Sequence, residues 1–164
     1  MMNDAYEYFV KAAPPYTQER PSSLWRRAGE RWEYLSLLDW EWHGVEEKAH
    51  KSPPPADVLH RVSAERAAAL ESDRQVWVRY WAHYVDTEDW TQGEAPTTVL
   101  RRRRSPEKVL DESFRAKGVW GRTQAIENSA DLRTSNPPHL VELSVEEAEA
   151  LLQELFGVTG ATEL

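Results

Sequence analysis

Residues 140–156 (LVELSVEEAEALLQELF) read as a short strand that turns directly into a capped helix. Ser144 stands at the N-cap, Glu147 three residues later completes a capping box, and Gly157 supplies the stop. Val145, Ala148, Leu151, Leu152, Leu155 and Phe156 share one helical face, with Glu146, Glu149 and Gln153 mostly opposite. The same pattern occurs earlier, in residues 59–70 (LHRVSAERAAAL). Leu59 answers Leu140, Val62 answers Leu143, Ser63 answers Ser144, Glu65 answers Glu146, Ala67 answers Ala148 and Leu70 answers Leu151, all at an offset of 81.

Two further stretches repeat in the same order. Residues 8–10 (YFV) match 83–85 (HYV), and 21–27 (PSSLWRR) match 96–102 (PTTVLRR), both at an offset of 75. The region of Trp120 matches that of Trp40 at an offset of 80, and Asn136-Pro137-Pro138 answers Pro53-Pro54-Pro55. The first half reads as strands over 5–12, 22–27, 30–35 and 36–43, with a hairpin at Ala28-Gly29. A proline-rich loop over 46–55, a short strand over 58–62 and a helix over 64–73 follow.

Residues 76–85 (VWVRYWAHYV) fit two templates, because Trp77, Tyr80, Trp81 and Tyr84 also stand at helical spacing. Their β-branched and aromatic composition and the repeat both predict a strand. An acidic loop over 86–95 and a strand over 97–103 come next. Ser105-Pro106-Glu107 then forms either a turn or the start of a short helix, followed by a strand near 117–123 and a polar tail over 158–164. The expected fold is α+β and internally duplicated. Residues 1–75 form the first αβ repeat and 76–164 the second, each a small antiparallel sheet ending in a short strand and a capped helix. The expected arrangement relates the two by a pseudo-twofold axis over one shared core, since one such unit leaves a sheet face uncovered.

Composition narrows the function. The chain has 164 residues and a formal charge of −8, which disfavours nonspecific binding to nucleic acid and to anionic lipid. No cysteine is present, so disulfides, thiolate nucleophiles and thiolate metal sites are excluded. No long apolar run or signal-peptide pattern occurs, and a cytoplasmic, non-membrane protein is expected. The threefold excess of Arg over Lys suggests a GC-rich bacterial or phage genome.

The candidate sites are few. His43, His50, His60, His83 and His139 show no metal-ligand spacing; His83, between aromatics on a strand, is the one most suited to pair with a carboxylate. Glu33, Asp39 and Glu41 interleave with Trp32, Trp40 and Trp42 as in a carbohydrate site, but alternation on a half-buried strand explains them. Arg101 to Arg104 form the one dense basic run, and Arg26 and Arg27 occupy the equivalent place in the first half. Arg26, Arg27, Arg101 and Arg102, with Trp25, Trp40, Trp42 and His83, are therefore the candidate anion- or partner-binding residues, set against the plainer reading of charged sheet edges.

No phosphate loop, nucleophile elbow, EF-hand or dinucleotide fingerprint is found, so no catalytic residue, metal or cofactor is expected. The leading expectation is a non-enzymatic protein-binding module, such as a regulator, inhibitor or immunity-type protein, with another protein as partner. The alternative is a small-molecule or nucleotide-binding domain with an anion site between the repeats.

Overall fold

A computed structural model of the protein describes residues 6–45 and 52–164. His50 and most of the predicted 46–55 loop lie outside these residues. The chain divides into two compact units. One comprises the residues through Trp77 together with Arg103–Val109, and the other Val78–Arg102 with Leu110–Leu164. Among the described residues, no helix is long and apolar enough to cross a membrane.

The first unit carries strands β1 (Glu7–Lys11), β2 (Ser23–Ala28), β3 (Arg31–Leu35), β4 (Trp42–Gly44) and β5 (Leu59–Val62), then helix α1 (Ala64–Ser72). Its sheet runs β4-β3-β2-β1-β5, with antiparallel pairing throughout. Gly29, at φ +62°, turns β2 into β3 in the left-handed conformation that glycine adopts without steric cost. Ser63 caps α1 by accepting the Arg66 N–H at 3.0 Å. The core of this unit gathers Val10, Leu24, Leu35, Leu37, Ala67, Leu70 and Trp77.

In the second unit, β6 (Val78–Tyr84) leads through helix α2 (Thr87–Thr91) to β7 (Thr98–Ser105), β8 (Lys108–Phe114) and β9 (Trp120–Arg122). Helix α3 (Ala125–Ala130), β10 (His139–Leu143) and α4 (Val145–Phe156) complete it. Its sheet order is β10-β6-β7-β8-β9, which read backwards is the connectivity of the first. Helix α4 carries the expected capping box on Ser144 and Glu147, and Gly157 ends it in the left-handed region at φ +70°. Val78, Tyr80, Val99, Phe114, Ala148 and Leu152 form the core. The helices bury the alanines matched by sequence, Ala67 in α1 and Ala148 in α4, where a small side chain lets helix and sheet approach closely.

Pairing corrects part of the sequence alignment. Tyr8 pairs with Val62 in the first sheet and Tyr80 with Leu143 in the second, so β1 answers β6 at an offset of 72. The match of 8–10 to 83–85 is three residues out, an odd shift that would turn every side chain to the other face. The next strands keep the offset of 75. Ser22 donates its N–H to the Lys11 carbonyl at 2.9 Å, and Thr97 donates to that of His83 at 2.7 Å. Both hydroxyls back the same bond, at 3.3 and 3.2 Å. The connection between the two strands is thus three residues longer in the second unit, and it contains α2.

Four other expectations change. Residues 36–41 form a tight loop rather than a strand: Trp40 N–H donates to the Ser36 carbonyl at 2.8 Å, Asp39 caps Glu41, and Trp40 is left at φ +61°. Alternation alone could not register that Ser36 and Asp39 satisfy backbone groups locally. β6 begins at Val78, because residues 74–77 make a 3-10 turn in which the Trp77 indole donates to the Leu70 carbonyl at 3.0 Å. Pro106 and Glu107 make the hairpin turn, and no helix follows. The polar tail is tied down. Glu149 accepts from Gly160 N–H at 2.6 Å and from the Thr162 hydroxyl at 2.8 Å, while Val158, Ala161 and Leu164 pack on the second core.

Glu107, in the 103–109 segment of the first unit, accepts from the hydroxyls of Ser36 (2.5 Å), Tyr34 (3.0 Å) and Ser105 (3.1 Å). Burial raises its pKa, but the three hydroxyls and the nearby His43 outweigh it and hold the carboxyl below its ordinary value. A group depressed in the folded state binds its proton more readily when unfolded, so it contributes stability above pH 4.5 that is lost as pH falls through the folded value. Glu107→Gln is expected to flatten the acid limb of urea-unfolding free energy measured from pH 7 to pH 3. An unchanged acid limb would show that other carboxylates carry it.

Candidate functional site

The four arginines singled out by sequence each meet a carboxylate inside their own unit. Arg26 Nε donates to Glu33 at 2.5 Å and Arg27 to Glu7 at 2.5 Å; Arg101 donates to Glu112 at 2.8 Å and Arg102 to Asp111 at 2.7 and 2.9 Å. Cross-strand pairing dictates this, since Arg26 lies opposite Glu33. Three of them also lie over a tryptophan: Arg27 over Trp32 on the adjacent strand, and Arg26 and Arg101 over one two strands away. The Arg26 guanidinium sits 4.3 Å from the Trp42 ring centre and Arg101 sits 4.1 Å from that of Trp120. Each sheet therefore contains an Arg–Glu–Trp stack, and it pairs Trp120 with Trp42 rather than with Trp40. Leu35 opposite Trp42 and Phe114 opposite Trp120 give the same correspondence.

This arrangement accounts for most of the eight tryptophans in the chain. Guanidinium groups cover Trp32 (Arg27), Trp40 (Arg74), Trp42 (Arg26), Trp81 (Arg79) and Trp120 (Arg101). Trp25 is 2 % exposed, with its indole donating to Ser23 at 2.8 Å, and Trp77 is buried against α1. The eighth is different. Trp90 is 45 % exposed and stacks on His139 with ring centres 4.0 Å apart.

Trp90 lies on α2, the short helix of the extended β6–β7 connection. Asp86 caps that helix by accepting the Asp89 N–H at 2.8 Å. His139, at the start of β10, stacks on Trp90 from one side, has Tyr84 edge-on at 6.2 Å and reaches the Thr87 hydroxyl at 3.4 Å. Val85, Glu88 and Glu94, close to Trp90 in sequence, are exposed, and the Glu88 carboxylate accepts from the Gln92 amide at 3.2 Å. The result is an exposed aromatic platform on a connection rich in acidic residues. Sequence reading treated 86–95 as a plain acidic loop and missed it. The signal was DTEDW over 86–90, an N-capping Asp with acidic residues in the first turn and a Trp at helical spacing.

His83 stands at the other end of the same connection. Its Nδ1 is 2.5 Å from the Thr97 hydroxyl, which itself donates to the His83 carbonyl, so the ring nitrogen donates to Thr97. Burial lowers its pKa and keeps the ring neutral near pH 7, and the ring bonds the Thr97 hydroxyl rather than the expected carboxylate. Among the described residues no group of three His, Cys, Asp or Glu is placed to hold a metal ion. A hollow of about 470 Å³ in the second unit is lined by Trp81, Arg102, Ile126, Glu127, Asp131 and Leu140, and so faces both charge signs.

No family model, curated protein or solved structure matches the chain.

Proposed function

We propose that the chain is a protein-binding module, built from two fused copies of a five-stranded αβ unit, that takes a basic segment of its partner on the Trp90–His139 platform. The observation that carries this reading is the contrast among the eight tryptophans: seven are buried or covered by a guanidinium, and Trp90 is open. A rigid exposed aromatic gives large contact area at low entropic cost, and tryptophan dominates binding hot spots. The carboxylates of Glu88 and Glu94 and the −8 net charge suit a Lys- or Arg-bearing partner, whose cation would stack on the outer indole face. Shared strand order, shared register, serine-capped helices and the recurring Arg–Glu–Trp stack support duplication. A regulator, inhibitor or immunity-type role in the cytoplasm is the corresponding biological setting.

A photo-crosslinking residue at exposed Thr91 would capture the partner, and the purified partner would then be titrated against wild type and Trp90→Ala. The crosslinked segment is expected to be rich in Lys or Arg. Loss of a hot-spot tryptophan is expected to weaken binding by about 30-fold or more. Equal affinity of the two proteins, or a captured segment that is acidic, would remove the platform from the binding surface.

A further inference from the structure

Beyond protein binding, we infer that the first unit holds a separate site for a compact oxyanion, a phosphate or carboxylate group, in a hollow of about 190 Å³ lined by Lys11, Ser22, Ser23, Trp25, Arg104 and Ser105. The donors there exceed the acceptors. Arg104 Nε is buried without a hydrogen-bond partner, although its guanidinium lies 5.9 Å over the Tyr16 ring. Ser23 is 4 % exposed and its oxygen accepts the Trp25 indole N–H, which leaves the hydroxyl proton for another acceptor. Lys11 makes no salt bridge to a carboxylate among the described residues. Buried donors left unmade are costly, and a ligand that only accepts is the complement of this set.

The other arginines do not compete for this role, because Arg26, Arg27, Arg101 and Arg102 are held by carboxylates. Glu107 lies behind Ser105, and its oxygens are occupied by the hydroxyls of Ser36, Tyr34 and Ser105. Size limits the ligand further. Ligand pockets for drug-sized molecules run to roughly 300 Å³ or more, whereas this hollow has room for roughly six water volumes, enough for an anionic headgroup and little beyond it.

The full chain would be titrated with inorganic phosphate and, separately, with malonate, each against sodium chloride at matched ionic strength, following backbone amide chemical shifts. Saturable shifts at Ser22, Ser23 and Ser105 are expected with one of the two, and which one saturates distinguishes phosphate from carboxylate. Arg104→Gln and Lys11→Gln are each expected to weaken binding at least tenfold, and Ser23→Ala several-fold, while exposed Arg133→Ala leaves it unchanged. Should Arg104→Gln fail to fold, the half-buried Lys11→Gln decides. Chloride reproducing the shifts, saturation by neither anion below about 10 mM, or undiminished binding in Lys11→Gln would overturn the site.

Discussion

Glu112→Ala is expected to cost about 3–5 kcal/mol of unfolding free energy, read as a large fall in the urea midpoint at pH 7. The Arg101 side chain is 8 % exposed and that of Glu112 14 %, so solvent screens the pair little. Removing the carboxylate leaves a buried guanidinium with only the Trp120 face against it, and its Nη1 already lacks a partner. Arg101→Met combined with Glu112→Leu is expected to recover most of the loss, because a buried pair replaced whole is often nearly neutral. The equivalent Glu33→Ala should cost less. Arg26 is 20 % exposed and keeps two rings, Tyr6 and Trp42, at 4.1 and 4.3 Å. A Glu112→Ala protein within 1 kcal/mol of wild type would mean that the guanidinium finds water, and the stack would then contribute little.

Trp120→Ala is the second large effect, about 3 kcal/mol, at the low end of the range for removing a large aromatic because the residue is only partly buried. Three contacts go with it. The ring covers Arg101, meets Phe114 edge-on at 5.3 Å, and donates its indole N–H to the Ala161 carbonyl at 2.8 Å. The last of these anchors the tail, so amide hydrogen exchange over 158–164 should accelerate in the variant. Trp120→Ala and Glu112→Ala both expose Arg101, and their double mutant is expected to be less destabilised than the two losses taken together. Strict additivity, with unchanged exchange in the tail, would show that Trp120 acts only through bulk burial.

Much of the architecture was legible because the helix signals are local. Ser63 and Ser144, the alanine-lined faces and Gly157 carry their own geometry, and both helices lie where spacing placed them. Register was harder to read. Tyr8-Phe9-Val10 resembles His83-Tyr84-Val85 in letters, but hydrogen bonding aligns it with Tyr80-Trp81-Ala82, and three extra residues in the following connection hide the shift. The strand expected over 36–43 failed because alternation of Leu38, Trp40 and Trp42 cannot report that Ser36 and Asp39 close the backbone on itself. Residues 158–164 read as a polar tail because Glu149, which holds them, lies on the polar face of a helix, and helical periodicity assigns that face to solvent. Arg26 and Arg101 stand at matching sequence positions and each meets a glutamate and a tryptophan in its own sheet. Their partners Glu33 and Glu112 lie one strand away, beyond the reach of any local motif. Trp90 was passed over for the opposite reason: its importance lies in what leaves it uncovered, and exposure is a property of the fold as a whole.

The β7–β8 hairpin has its stem in one unit while residues 103–109 count with the other, so the polypeptide passes from unit to unit three times, at 77/78, 102/103 and 109/110. No single scission of the gene yields either half intact. A fragment stopping at Trp77 would lack Glu107, the carboxylate that receives the Tyr34 and Ser36 hydroxyls. Expressing the first unit by itself would therefore require grafting the hairpin tip onto the first 77 residues by a designed linker.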